Sequence, residues 1–235
     1  MHPNVQQVLS DAPDIHGGEG SADLVTYGLT PTALNYIAGL ATPGSATLET
    51  GSGFSTIVLA MSGARHTCIV PNQQEIDRII AYCEGRGIST SACTFIAEPS
   101  ERALPALDLD PLDLVLIDGS HSFPQVFIDW FYVADALRVG GTVLLDDIHV
   151  WTGRVLRDFL VAEPSWELVR ELEGRTSVFE KRAEVDPDKV WFEQPYVVRH
   201  SRLKTVARAR MAASMLRNGE HRQLARVTRE MLSRG

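Results

Sequence analysis

The sequence predicts an α/β protein whose mostly parallel sheet carries helices on both faces, and two observations support this prediction. From residue 45 onward, short apolar runs typical of strands alternate with longer stretches of helical periodicity, as in a parallel sheet with crossover helices. The last two strand-like runs, 165–172 and 176–181, are separated by three residues. Because so short a link cannot hold a crossover helix, these runs must pair as an antiparallel hairpin.

The chain has 235 residues, enough for one large domain with an appendage. Its 44% hydrophobic content is sufficient for a substantial core. Before the hairpin, the predicted strands are 46–49, 66–70, 93–97, 112–118 and 141–146. The predicted helices are 55–62, 73–86, 100–107, 123–137 and 152–162, with glycines ending the second of them.

A glycine turn after the first predicted strand is the most informative motif. Residues 45–63 read SATLETGSGFSTIVLAMSG, so a strand ends at Glu49, Gly51 and Gly53 form a turn, and hydroxyls open a helix near Ser55. Glycines allow a ligand to approach the backbone closely, and a helix N-terminus presents free N–H groups to it. This arrangement favours a nucleotide-like ligand, although an ordinary strand–turn–helix with a capping hydroxyl has the same pattern.

The details of the turn favour S-adenosylmethionine (SAM) over a dinucleotide. The dinucleotide motif G-x-G-x-x-G requires a third glycine and an acid about twenty residues later, but Thr56 stands at the third glycine position. The acid Glu49 comes before the turn instead, where it would repel a pyrophosphate and suit an ammonium or hydroxyl group. SAM has a cationic amino-acid end and no phosphate.

Two later strands end in carboxylates and histidines. Asp118 ends the fourth strand and His121 follows three residues later, while Asp146 and Asp147 end the fifth strand and precede His149. Because these strands should be neighbours, the three carboxylates should converge in one cleft, where a dication such as Mg²⁺ would relieve their repulsion. Alternatively, the carboxylates bond to backbone amides of the next turn or cap the following helix.

The order of predicted elements resembles the class I SAM-dependent methyltransferases over about residues 25–182. That resemblance implies a Rossmann-like, seven-stranded sheet in the order 3-2-1-4-5-7-6 with strand 7 antiparallel, and SAM as cofactor. It implies a ribose contact after the second strand, where Asn72 replaces the usual acid and Glu75 or Asp77 could reach back. The cofactor-binding residues it implies are Glu49, Gly51, Ser52, Gly53, Ser55, Thr56, Asn72, Glu98, Ser100 and Asp118.

The sequence D-G-S-H followed by D-D resembles the metal-dependent O-methyltransferases of the macrocin and mycinamicin sugar type. Cephalosporin-hydroxylase-like proteins share this pattern, and LETGSGFST resembles a little-characterised bacterial class I methyltransferase group. The resemblance implies that Asp118, Asp146 and Asp147 hold Mg²⁺ and that His121 is the catalytic base beside Asp118, with His149 in reserve. We therefore expect O-methylation of a small hydroxylated molecule or sugar.

Two rival functions differ in class. A nucleotide-cofactor oxidoreductase of the NAD type is disfavoured by the early acid, the missing third glycine and the terminal hairpin. A non-catalytic SAM-binding accessory subunit would keep the cofactor site without turnover. The apolar period of helix 123–137 indicates core packing around Asp129 and Trp130, with acceptor recognition as the second interpretation. Trp151 and Trp166 are interpreted as hydrophobic fillers, although Trp151 could line the acceptor pocket.

The ends of the chain differ from its centre. We expect a loose lead or lid over 1–24, the methyltransferase domain over 25–182, a linker over 183–195 and a basic amphipathic helical tail over 196–235. The tail carries ten Lys and Arg against two acids, whereas the whole chain has a net charge of −8. This asymmetry favours helices that pack on an acidic body or form a homodimer, because the acidic remainder disfavours nucleic acid and membranes.

Three cysteines without a CxxC pair argue against a disulfide framework. The N-terminus lacks the basic and apolar segments of a secretory signal, and no run of about 18 apolar residues occurs. These observations predict a reducing, cytoplasmic location.

Overall fold

The computed structural model describes residues 1–17, 28–185, 189–201, 210 and 213–219. It divides into two units, Met1–Pro187 and Asp188–Gly235. The first unit contains a seven-stranded sheet in the order β3-β2-β1-β4-β5-β7-β6. Strands β1 to β5 pair in parallel, and β7 pairs antiparallel with both β5 and β6. This confirms the predicted order, including the inserted antiparallel strand.

The strands are β1 (Ala46–Thr50), β2 (Arg65–Ile69), β3 (Cys93–Ile96), β4 (Leu112–Ile117), β5 (Leu137–Leu145), β6 (Trp166–Leu172) and β7 (Thr176–Lys181). The helices of the first unit are α1 (Pro3–Ser10), α2 (Pro31–Leu40), α3 (Phe54–Ser62), α4 (Gln73–Glu84), α5 (Ser100–Ala103), α6 (Gln125–Ala136) and α7 (Trp151–Ala162). A 3₁₀ turn over Leu104–Ala106 extends α5, so the helix predicted over 100–107 is present in two parts.

Two apolar layers cover the sheet, one on each face. One layer contains apolar residues of the four helices α1, α2, α3 and α4, together with sheet residues such as Leu116 and Leu144. The other joins α6 and α7 with Val115 and Val143, which alternate with the first pair along β4 and β5. Because successive side chains of a strand point to opposite faces, this alternation explains why the carboxyl-terminal parts of β4 and β5 are apolar on both faces.

Helix α1 lies within the segment for which we expected a loose lead or lid. Its Val5 and Val8 are fully buried and belong to the first apolar layer. Ile15 is buried as well, so the described residues 1–17 pack onto the body. Residues 18–27 lie outside the described part of the chain, and the four segment boundaries stay a prediction.

Helix α2 was not expected from the sequence. It begins with Pro31 in its first turn, and Thr30 caps it by accepting a hydrogen bond from the Ala33 amide at 3.2 Å. Both features are ordinary start signals of a helix. Its buried face includes Leu34 and Ile37.

The second unit contains a 3₁₀ turn over Trp191–Glu193 and helix α8 (Pro195–His200). The expected basic tail falls mostly on residues 202–209, 211–212 and 220–235, which lie outside the described residues, as do 186–188 of the expected linker. Among the described helices, none has the length and apolar character needed to cross a membrane.

Candidate active site

The ladder hydrogen bonds of the sheet fix the first residues of the site. The Asp118 amide donates to the Thr50 carbonyl at 3.0 Å, and the Asp146 amide donates to the Ile117 carbonyl at 3.1 Å. The loops after β1, β4 and β5 therefore start side by side at the carboxyl edge of the parallel strands. Ligands of open α/β sheets bind at this edge.

Gly51 is required where the first loop passes the fourth. Its φ is +96°, and a Cβ atom built on it would lie 2.3 Å from the carbonyl oxygen of Asp118. Gly119 faces the same contact from the other loop, since its Cβ would lie 3.3 Å from the Thr50 side chain. The glycine turn thus has a packing role between two loops, in addition to any contact with a ligand.

Glu49 has a different environment from the one we expected. Its side chain is 1% exposed, and its Oε2 accepts a hydrogen bond from Ser55 Oγ at 2.6 Å. Its Oε1 accepts a short hydrogen bond from Thr56 Oγ1 and lies 3.1 Å from His66 Nε2. With these internal partners, Glu49 ties the start of α3 to the sheet instead of facing an ammonium or hydroxyl of the ligand.

A cleft of about 550 Å³ opens over these loops, within the usual size range of small-molecule sites. Of the predicted cofactor-binding residues, Gly51, Ser52, Ser100 and Asp118 line it. Gly53 and Ser55 line an adjoining smaller cavity, which Ser52 and Asp118 also border. Neither lining includes Glu49, Thr56, Asn72 or Glu98, and Glu98 is exposed.

The acid at the second strand end is Glu75. Asn72 caps α4 by accepting from the Gln74 amide at 3.0 Å, and its Nδ2 donates to Glu75 Oε1 at 3.1 Å. Glu75 lines the cleft, accepts from Ser52 Oγ at 2.8 Å, and lies 3.5 Å from His16 Nδ1. Glu75 therefore holds the position where a ribose contact was expected, and Asn72 supports it.

The predicted base and two of the predicted metal ligands come together. His121 Nε2 lies 3.0 Å from Asp147 Oδ2 and 3.6 Å from Asp118 Oδ1. All three residues line the cleft, and Thr152 donates a short hydrogen bond to the His121 carbonyl. Burial, together with the negative charges of Asp146 and Asp147, holds the pKa of Asp118 well above its usual value.

Asp146 does not share the cleft with them. Its side chain is fully buried; its Oδ1 accepts a short hydrogen bond from Thr176 Oγ1, and its Oδ2 accepts from Arg175 Nε at 3.3 Å. Arg175 Nε also lies 2.9 Å from Asp147 Oδ1. The negative charge of Asp146 still acts on Asp118, but the Arg175 guanidinium neutralises part of the charge of Asp146 and Asp147. A basic residue at this position was not predicted from the sequence.

The residues present fit a hard divalent cation, with a changed ligand set. Asp118, His121 and Asp147 each offer an atom within 4.8 Å of the others, and carboxylate oxygen with imidazole nitrogen suits Mg²⁺ or Mn²⁺. Asp147 Oδ1 is buried and accepts no well-directed hydrogen bond from the described residues. Asp146, which we had placed among the ligands, is instead occupied by Thr176 and Arg175.

Other predicted residues lie away from the cleft. His149 is 58% exposed, and its Nδ1 is 3.6 Å from Asp147 Oδ1. Trp166 is buried in the second apolar layer, as expected for a filler, whereas Trp151 is 66% exposed and is not one. Neither Asp146 nor Asp147 caps α7, whose first turn is preceded by Val150 without a side-chain cap.

The sequence reasoning missed Arg175 and His16. Arg175 belongs to the hairpin turn, 29 residues after Asp146 in the chain, and only the antiparallel course of β7 brings the two together. His16 comes from the N-terminal segment, which we interpreted as a lead. A signal was available for Arg175: it is the basic residue in the link between the last two strands.

Comparisons with known proteins agree with this geometry. Residues 48–148 match the family model Methyltransf_24, described as a methyltransferase domain. No curated protein sequence matches the chain significantly. Among solved structures, the O-methyltransferase TomG from Streptomyces achromogenes, in complex with SAM, superposes with a TM-score of 0.60 at 15% identity. That match covers 78% of this chain and 91% of TomG.

Cofactor-bound Rv0187 from MTB has a TM-score of 0.57 at 16% identity, covering 77% of this chain and 98% of Rv0187. The SMU.1697c protein from Streptococcus mutans, in complex with SAH, has a TM-score of 0.51 at 10% identity, covering 63% and 95%. At these identities the superpositions establish a shared fold. The family match adds that residues 48–148 are similar to a methyltransferase domain, and the solved structures that share the fold include methyltransferases in complex with SAM or SAH.

Proposed function

We propose that the protein transfers the methyl group of SAM to a hydroxyl oxygen of a small molecule, such as a hydroxylated metabolite or a sugar. The observation that carries the proposal is the pair formed by His121 Nε2 and Asp147 Oδ2 at 3.0 Å, on the lining of the cleft. A histidine held by a carboxylate is the arrangement that removes a proton from a hydroxyl group in many enzymes.

The methyl group of SAM is already activated by the sulfonium, so the protein must align the acceptor oxygen and accept its proton. In the proposed mechanism, Gly51, Ser52 and Glu75 line the cofactor part of the cleft, which Ser100 also lines. The acceptor hydroxyl gives its proton to His121 Nδ1, the ring nitrogen that does not face Asp147, as its oxygen bonds to the methyl carbon and the carbon–sulfur bond breaks. Asp147 stabilises the imidazolium that results.

Asp118, His121 and Asp147 would hold Mg²⁺ if the reaction uses it. A divalent cation there would lower the pKa of a hydroxyl group bound to it. His121 would then have two competing tasks, as a ligand and as a base. If the His121→Ala variant keeps a metal-dependent activity, His121 is neither an essential metal ligand nor the base.

The first experiment is calorimetric titration with S-adenosylhomocysteine (SAH) and with NAD⁺, each with and without Mg²⁺. We expect micromolar binding of SAH and none of NAD⁺ (about −8 kcal/mol for SAH). Binding of NAD⁺ alone would favour the rival oxidoreductase and refute the proposal. Methyl transfer from radiolabelled SAM to a panel of catechols, polyols and sugars then tests the chemistry.

The chain provides a matched control for the base. His121→Ala should lower turnover about 10²-fold or more while SAH binding stays intact, whereas His149→Ala should leave turnover unchanged. The reverse result, with His149 essential and His121 dispensable, would contradict the assignment. SAH binding without transfer to any acceptor, in wild type and both variants, would favour the accessory-subunit function.

We also propose that the basic segment 196–235 mediates homodimerisation. The excess of ten basic over two acidic residues in this segment, opposite to the charge of the whole chain, supports the proposal. Light scattering of the full chain and of a chain ending at residue 195 would test it. If the full chain and the shortened chain have the same number of chains per particle, the proposal is refuted.

A further inference from the structure

We infer that Arg175 is the resident counter-ion of the acidic cluster formed by Asp118, Asp146 and Asp147, and that it keeps Asp146 from binding a divalent cation. In this role Arg175 is a positioning residue, because it touches the carboxylates and not the reacting atoms. The inference deepens the proposed function and rests on it, since it concerns the same cleft and its cation.

The contacts of Arg175 support this role. Its Nε lies 3.3 Å from Asp146 Oδ2 and 2.9 Å from Asp147 Oδ1, so one guanidinium bridges two consecutive carboxylates. Its side chain is 17% exposed and that of Asp146 is fully buried. Attraction between charges is much stronger in such a setting than at the surface, and a buried carboxylate without a partner is costly.

The backbone of the hairpin turn places Arg175 where it can do this. Glu173 and Gly174 both have positive φ, which reverses the chain within the three-residue link. The Arg175 carbonyl then accepts a hydrogen bond from the Ile148 amide at 2.9 Å, directly after Asp147. The turn is thereby joined to the acidic loop by a backbone bond as well as by the side chain.

The acidic loop itself has a restrained shape. Asp147 has φ +51°, a conformation that residues other than glycine seldom adopt. Gly153 lies against it, and a Cβ there would be 2.8 Å from the Asp147 carbonyl oxygen. A residue held in such a conformation needs surrounding contacts to keep it there, and the bridge to Arg175 is one of them.

The charges lead to a specific expectation. With Arg175 present, a divalent cation meets Asp118, His121 and Asp147, and the charge of Asp147 is partly neutralised by Arg175 at 2.9 Å. Without Arg175, this neutralisation is removed and Asp146 is left without its basic partner, so a third carboxylate becomes available. Neutral substitution of Arg175 should therefore strengthen divalent-cation binding.

The test is a titration of the full chain with Mn²⁺. The concentration of free, hydrated Mn²⁺ is measured by electron paramagnetic resonance at each step. Arg175→Gln should bind Mn²⁺ at least about tenfold more tightly than wild type. Arg175→Lys keeps the charge and should bind as weakly as wild type. The double variant Arg175→Gln with Asp146→Asn should lose the gain, because it lacks the carboxylate that Arg175→Gln releases.

If Arg175→Gln folds poorly, thermal unfolding with and without Mn²⁺ gives a second measurement. A ligand of the folded state raises its unfolding temperature, so Mn²⁺ should raise that of Arg175→Gln by more than it raises that of wild type. Equal or weaker Mn²⁺ binding in Arg175→Gln, with no extra thermal shift, would overturn the inference. Equal tightening by Arg175→Lys would overturn it too.

SAH titration of the same proteins separates this inference from the proposed function. If wild type binds SAH but Arg175→Gln gains no affinity for Mn²⁺, the counter-ion role fails while the cofactor assignment stands. If wild type fails to bind SAH, the proposed function fails, and the Mn²⁺ comparison still decides the role of Arg175.

Discussion

Replacing Gly51 with alanine tests the contact between the first and fourth loops, and the chain offers a matched control. Gly51 and Gly44 have similar positive φ values, +96° and +84°. A Cβ on Gly44 meets nothing within 4 Å, whereas one on Gly51 would lie 2.3 Å from the Asp118 carbonyl oxygen. The two variants therefore share the conformational cost and differ in the collision.

The magnitude follows from these contacts. A non-glycine residue in the left-handed region costs about 1–2 kcal/mol, and we expect this loss of stability in Gly44→Ala. In Gly51→Ala the Asp118 backbone must also move, which weakens its 3.0 Å hydrogen bond to Thr50. Losing that bond costs about 1–3 kcal/mol more, so Gly51→Ala should lose about 2–5 kcal/mol in total.

Urea unfolding gives the free energies, and calorimetry gives the affinity for SAH. Because the loops displaced in Gly51→Ala line the cleft, we expect its SAH affinity to fall at least about tenfold, or 1.4 kcal/mol. Gly44→Ala should bind SAH as wild type does. The reasoning is refuted if the two variants are equally destabilised and both bind SAH normally.

Three further predictions concern buried and cleft acids and a thiol. Glu49→Gln should lower the free energy of unfolding by about 1–3 kcal/mol, because three side chains lose a charged acceptor; unchanged urea unfolding would contradict this. Glu75→Gln should weaken SAH binding about tenfold, whereas Asp77→Asn, an exposed acid on the same helix, should not; equal effects in calorimetry would remove Glu75 from the site. Burial raises the pKa of Cys93 to about 11, so the unfolded chain releases this proton first, and stability should fall as pH rises from 9.0 towards about 11. Cys93→Ser should flatten that part of the pH profile in urea unfolding, and an unchanged profile would contradict the cause.

The sheet could be predicted because its signals are local. Each strand is a short run between turn residues, and the three-residue link before Thr176 leaves only a hairpin as the connection. Helices α1 and α2 were missed because both are short and begin at a proline. Proline breaks a helix in its interior but is favoured in its first turn.

The candidate site was only partly predictable, because its charges are balanced over long distances in the chain. Position alone placed Glu49 at the end of β1, but its partner His66 lies on the neighbouring strand. The exposure of a strand-end carboxylate depends on which neighbours reach it. No local pattern shows that Glu49 is enclosed while Asp118 faces the cleft.

The topology explains how the charges of this site are divided. Strand β7 runs opposite to β5, so it begins at the edge where the parallel strands end. The turn before it therefore brings Arg175 to Asp146, whereas a parallel strand in that position would begin at the far edge. Glu49 and Asp146 have internal partners, so Asp118 and Asp147 are the strand-end acids that line the cleft. An acidic cleft attracts a cationic ligand, and the sulfonium and ammonium groups of SAM suit the charge that the fold leaves there.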